Sequence, residues 1–295
     1  MPRTVTVGLD GSPESLAAAG WAAREAQWRG LPLNLVHALD WHSFTYAPLT
    51  GGRSLARWAE RLPQDTAARL RHDHPDLRIV HEQVTTEPVP SLLAAAEDAE
   101  LLVLGSRGLS RVTGVLVGSV ALSVVARAQL PVVLVPAGGA DGGDRRAGSA
   151  TTASAARARS EVVLGLDLGR PAEQLLDFAF DAAARRTATL RVIHGWSPAP
   201  ASGRPLSWNT EASARVAREL ADVLRPWRAK YPCVEVSEQS VVGSPAEHLV
   251  DASDQAALVV VGRFTHGPRP GPRIGPVTHA VLHRSAAPVA VVAHG

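Results

Sequence analysis

A chain of 295 residues with 45% hydrophobic content is long enough for two domains, each with a core of its own. The formal net charge of +2 gives no basic stripe for nucleic acid, although the calculated pI is about 9.2. No apolar run approaches the length of a membrane span, and the lone Cys233 excludes an internal disulfide, so a cytoplasmic protein is the default expectation.

Met1-Pro2-Arg3-Thr4-Val5 leads straight into a strand rather than a signal peptide. The strand runs over Thr4–Leu9 and ends at Asp10-Gly11-Ser12-Pro13, where Ser12 can cap a helix whose first residue is Pro13. Ala17, Ala18, Trp21, Ala22 and Ala26 then recur at helical spacing. A second strand follows at Leu33–Ala38. Leu55–Arg71 predicts a helix that Pro63 bends or splits, and His72-Asp73-His74 near its end lacks the third and fourth ligands that a closed metal site needs. The third strand is expected at Leu77–Val80, then a helix over Pro90–Glu97, a fourth strand at Leu101–Leu104, a helix over Ser119–Ala128 and a fifth strand at Val132–Val135. Strands alternating with helices imply a parallel sheet covered on both faces, with ligands at the carboxyl ends of the strands.

Between the fourth strand and its helix lies Gly105-Ser106-Arg107-Gly108-Leu109-Ser110-Arg111-Val112-Thr113-Gly114-Val115-Leu116-Val117-Gly118-Ser119. It holds neither the P-loop nor the dinucleotide spacing. Its glycines allow close backbone approach and its helix start presents N–H groups and the positive dipole end, which suits an anion. Ser110 or Ser119 is available to cap that helix.

An internal repeat covers both halves. Asp10 recurs as Asp167, an offset of 157 residues that also relates Gly8 to Gly165, His37 to His194, Pro88 to Pro245, Leu92 to Leu249, Gly105 to Gly262, Gly118 to Gly275 and Pro131 to Pro288. The Gly, Ala, Ser and Thr-rich stretch between the copies reads as a flexible linker. The expected layout is a domain over residues 1–137, a linker over 138–160 and a second domain over 161–295.

The pattern G-x2-G-x9-G-S, at Gly105, Gly108, Gly118 and Ser119, resembles the ATP-binding loop of the universal stress protein family. Gly8-Leu9-Asp10-Gly11-Ser12-Pro13 and Leu130-Pro131-Val132-Val133-Leu134-Val135-Pro136 extend the likeness over the first half. The resemblance implies two tandem flavodoxin-like domains of the adenine-nucleotide α-hydrolase-like type, each an α/β fold with a five-stranded parallel sheet in the order 3-2-1-4-5. It implies ATP, with or without Mg, as ligand, and contacts from Leu9, Asp10, Gly11, Ala38, Gly105, Gly108, Gly118, Ser119 and Val120. It further implies pairing through the last strand at the sheet edge, hence a homodimer.

Residue by residue, plainer roles stand beside these. Asp10 is a contact to ribose hydroxyls, a holder of a metal-bound water or a turn former; Ser119 is a phosphate ligand or a helix cap; Arg107 and Arg111 are phosphate contacts or solvated loop residues. His37 reads as structural because His194 repeats it. The seven tryptophans are scattered and read as packing.

The second copy departs from the pattern. In Gly262-Arg263-Phe264-Thr265-His266-Gly267-Pro268-Arg269-Pro270-Gly271-Pro272-Arg273-Ile274-Gly275-Pro276, Thr265 replaces the second glycine and Pro276 the serine, removing an N–H and a hydroxyl together. Leu168-Gly169-Arg170 stands where the first copy has Gly11-Ser12-Pro13. The second domain is therefore expected to keep the fold and bind ATP weakly or not at all; a new site built on His266 and the arginines is the alternative. The resemblance implies nucleotide-dependent stress response or signalling through an unidentified partner; no general base or acidic cluster beyond Asp10 is legible, so at most slow ATPase or autophosphorylation is expected. The rival readings are a scaffold that binds no nucleotide and a hydrolase or transferase acting on adenosine phosphates.

Overall fold

The computed structural model describes residues 3–38, 52–106, 117–136, 161–197, 207–265 and 274–295. The chain divides into two compact units, Met1–Arg145 and Arg146–Gly295. The stretch expected as linker lies outside the described residues.

In the first unit the order is β1 (Thr4–Leu9), α1 (Pro13–Arg29), β2 (Leu33–Ala38), α2 (Gly52–Asp73), β3 (Ile79–Val84), α3 (Pro88–Ala96), β4 (Ala99–Gly105), α4 (Ser119–Arg127) and β5 (Val132–Val135). The strands are parallel in the order β3-β2-β1-β4-β5. Both faces of the central strands are buried, with Val5, Val7, Leu33, Leu35, Leu101, Leu102 and Val103 fully shielded. Each such side chain contributes about 1.5–3 kcal/mol through removal from water. Helices α1 and α2 cover one face, and α3 and α4 the other.

Local chemistry sets the element ends. Ser12 caps α1 by accepting from the Ser15 N–H at 3.1 Å, with Pro13 next in the chain, and Gly30 closes the helix at φ 65°. Within the core, Arg29 joins α1 to β4: its Nε donates to Glu25 at 2.7 Å and its Nη1 to Glu100 at 2.6 Å. Glu25 is buried, so this ion pair leans on its hydrogen bonds rather than on water.

Three sequence expectations are corrected. The third strand lies two residues later than expected and extends to Val84, because its pairing with Leu33–Ala38 carries it through the exposed His81-Glu82-Gln83. An edge strand whose outer residues meet water shows no apolar run beyond Val80. Helix α2 is not split at Pro63, since the buried Ala59, Thr66, Ala67 and Leu70 hold both halves in one helix and Thr66 Oγ1 donates to the Leu62 carbonyl at 2.7 Å. The cap of α4 is Gly118 rather than a serine, and no side chain bonds there.

The second unit runs β6 (Glu161–Gly165), α5 (Glu173–Arg186), β7 (Thr189–Trp196), α6 (Ser207–Lys230), β8 (Val236–Val242), α7 (Pro245–Ser253), β9 (Ala256–Phe264), α8 (Pro276–Arg284) and β10 (Val289–His294), in the sheet order β8-β7-β6-β9-β10. Strand register repeats at the same offset as the sequence: Gly8 opposite Val36 becomes Gly165 opposite Ile193, and Leu102 opposite Val132 becomes Val259 opposite Val289. Thr187 even takes the left-handed backbone of Gly30, at φ 50°. On the flank of this unit Phe180 stacks against Trp227 and Tyr231, and Asp177 accepts from Lys230 at 2.5 Å and from Tyr231 at 2.9 Å. Burial alone would raise the Asp177 carboxyl; the two donors outweigh it and hold the group below its usual range.

Candidate functional site

The carboxyl ends of β1 and β4 part at the point where the strand order reverses, and a cleft opens there. Val36, Leu92 and Leu104 form its apolar floor, and Asp10, Ala38, Gly105, Gly118, Ser119 and Val120 its walls. Gly8 lies beneath: a Cβ there would sit 2.6 Å from Leu104 Cδ2 and 2.8 Å from Leu92 Cδ2. The pairing recurs in the second unit, where a Cβ on Gly165 would lie 2.7 Å from Leu249 Cδ1, which explains why Gly8 and Leu92 repeat together.

Asp10 organises the first turn. Its Oδ1 accepts from the Ser12 N–H at 2.9 Å and from Ser12 Oγ at 2.6 Å, while its own N–H points to Ser15 Oγ at 3.4 Å. The turn-forming role is thus realised in the structure, on a half-buried carboxylate that still lines the cleft. Gly11 is required by its φ of 81°. The Leu9 carbonyl accepts from His37 Nδ1–H at 2.7 Å, and His194 repeats that bond to the Leu166 carbonyl at 2.9 Å, so both histidines tie the ends of adjacent strands.

Two glycines of the loop have duties within the fold. A Cβ on Gly105 would lie 2.8 Å from the Glu14 carbonyl carbon and 2.8 Å from the Ser15 nitrogen, so this glycine lets α1 approach β4. The Gly118 N–H is donated to the Ser106 carbonyl at 3.0 Å, and the Gly118 carbonyl accepts the first bond of α4 from Leu122. Helix geometry then leaves the N–H groups of Ser119, Val120 and Ala121 without an intrahelical acceptor. These groups, with the exposed Ser119 hydroxyl, carry the positive end of the α4 dipole to the cleft wall. Gly108, Arg107 and Arg111 lie outside the described residues. Sequence reading missed Ser15 and the Pro88 and Leu92 side of the cleft; the repeat of Pro88 and Leu92 at the common offset was the trace of it.

The second unit has its own cleft in the same place, remodelled. Helix α5 begins at Glu173, three residues later than the repeat of α1 would require: Gly169 stands at the position of Ser12 and offers no capping side chain, and the cap falls at Ala172, where no side chain bonds. The His294 ring takes the vacated space: it blocks any Cβ on Gly262, meets Phe264 edge-on at 4.3 Å between centroids, and Arg170 lies over the same phenyl ring at 4.9 Å. Burial pushes the His294 imidazole below its ordinary pKa, Arg263 adds to this and Asp167 opposes it. At the helix start Pro276 supplies neither an N–H nor a hydroxyl, and the Thr278 hydroxyl is turned to the Gly262 carbonyl at 2.8 Å. His266 and the loop arginines 269 and 273 lie outside the described residues. Among the described residues no group of three or more His, Cys, Asp or Glu could hold a metal ion, and no helix is long and apolar enough to cross a membrane.

Fold and cleft together define a tandem of flavodoxin-like α/β domains, each with its candidate site at the strand-order reversal. The model of the universal stress protein family matches residues 1–136 and again 159–293, and the chain belongs to that family. It is similar to universal stress protein Rv2005c of Mycobacterium tuberculosis, 34% identical over 97% of this chain and 96% of the relative. Universal stress protein Rv2623 of the same species is 31% identical, over 97% and 95% of the two chains. Among solved structures, a universal stress protein from Archaeoglobus fulgidus superposes with a TM-score of 0.64 at 16% identity, covering 99% of this chain and 98% of that one, a likeness of fold.

Proposed function

We propose that the first domain binds ATP, with or without Mg, and that the protein acts as a nucleotide-dependent regulator in the stress response. The observation that carries this reading is the start of α4 at the cleft wall. The N–H groups of Ser119 and Val120 and the Ser119 hydroxyl face the same cleft as Asp10 and Ala38. Phosphates take the helix start, ribose hydroxyls take Asp10, and the base takes the apolar floor beside Ala38. The remodelled second cleft, with Pro276 at the corresponding helix start, binds ATP weakly or not at all. The protein works in the cytoplasm, as a homodimer formed through sheet-edge strands.

The test ports one residue between the copies. Ser119→Pro removes the N–H and the hydroxyl at a helix position where proline is tolerated and where the second copy carries one. With charge-assisted bonds worth about 1.5–3 kcal/mol, ATP affinity measured by calorimetry on the full chain is expected to fall by tenfold or more. Wild-type protein that neither carries nor binds ATP would sink the reading and leave the scaffold in its place; unchanged affinity in Ser119→Pro would remove the α4 start from the site.

A further inference from the structure

Helix α8 differs from its repeat α4 on one face. His279 and His283 stand where the first copy has Leu122 and Ala126, so the repeated pattern does not call for histidine at either position. They are four residues apart and therefore share a face of the helix. Their rings lie 4.3 Å apart between centroids at an interplanar angle of 38°. His279 is exposed, and His283 Nε2 is buried with no hydrogen-bond partner. Side chains on a helix lean toward its N-terminus, which brings the His283 ring back under that of His279.

We propose that His279 and His283 form a two-imidazole chelate for a divalent transition ion of the Zn2+ or Ni2+ kind. With metal–nitrogen bonds of about 2.1 Å, two imidazoles on one ion hold their centroids about 4.6 Å apart at the right angle of a square-planar or tetragonal ion such as nickel, and about 5.3 Å apart at the tetrahedral angle of zinc. The observed separation of 4.3 Å is within a few tenths of an ångström of the right-angle value, and the exposed His279 side chain has room to swing outward to the tetrahedral one. Imidazole nitrogen suits zinc, copper and nickel, whereas calcium and magnesium call for oxygen. Among the described residues no third His, Cys, Asp or Glu joins the pair, so water completes the coordination shell. The site is consequently an exchangeable one rather than a closed structural centre. An ion here spans one turn of the helix whose first residue, Pro276, lines the second cleft.

The experiment is calorimetric titration of the full chain with ZnCl2 and, separately, NiCl2, on wild type, His279→Gln, His283→Gln and a His72→Gln/His74→Gln control. The expected result is saturable binding near one ion per chain, weakened at least tenfold in each single variant of the pair and unchanged in the control. Should His283→Gln disturb packing, seen as altered circular dichroism, the exposed His279→Gln variant decides alone. No saturable binding below about 1 mM, or full affinity in His279→Gln, overturns the site. Loss in the His72→Gln/His74→Gln control instead places the ion at the end of α2 and overturns it equally.

Discussion

Replacing Gly105 with alanine asks whether this glycine serves helix packing. The added Cβ would meet the Glu14 carbonyl carbon at 2.8 Å, the Ser15 nitrogen at 2.8 Å and Glu14 Cβ at 2.9 Å. Comfortable carbon contacts begin near about 3.5 Å, so the first turn of α1 must retreat by roughly 0.7 Å. That turn is pinned, since Ser12 holds the Ser15 N–H and Asp10 holds Ser12 twice. Overpacking costs about 1–3 kcal/mol and a weakened cap about 1 kcal/mol more, which gives an expected loss of about 2–4 kcal/mol. Gly275→Ala is the control: nothing lies within 4 Å of its Cβ, so only the preference for Gly over Ala at a helix N-cap remains, and a loss of at most about 1 kcal/mol is expected. Because a chain of two units need not unfold in one step, stability is best followed by hydrogen exchange in urea, comparing peptides of β1 and β4 with those of β6 and β9. A Gly105→Ala protein that loses less than about 0.5 kcal/mol in the first unit would refute the packing argument.

Two further predictions concern the second unit. Thr187→Gly relieves a β-branched residue at φ 50° but loosens the unfolded chain, so a net gain of about 0.5–1 kcal/mol is expected in the urea midpoint of β6 and β7; no gain would show that the αL turn carries no strain. The second unit should also lose stability as pH falls below about 6.5, the ordinary histidine value. His283 and His294 are both held below it by burial, with His279 adding to the first and Arg263 to the second, so the unfolded chain takes up protons that the folded chain refuses. The His294→Phe variant should show a shallower decline of melting temperature between pH 6.5 and 5; an unchanged slope would exclude His294 from the effect.

The strand–helix alternation, the offset of 157 residues and the loss of Ser119 in its repeat are all legible in the sequence, because they rest on apolar runs, glycine and proline punctuation and one-to-one correspondence between copies. The shared register of both sheets follows from that correspondence. Tertiary structure decided the rest. It continued β3 through a polar edge, since pairing with β2 rather than hydrophobicity defines that strand. It gave Gly105 to the approach of α1 and the Gly118 N–H to Ser106, so that the donors left at the cleft belong to Ser119 and its successors. It also set the His294 ring, contributed by a strand far along the chain, against Gly262 in the wall of the second cleft. Local spacing reports which residues can bend, bond or bury; which partner each one meets depends on distant segments brought together by the sheet, and no local pattern encodes that meeting.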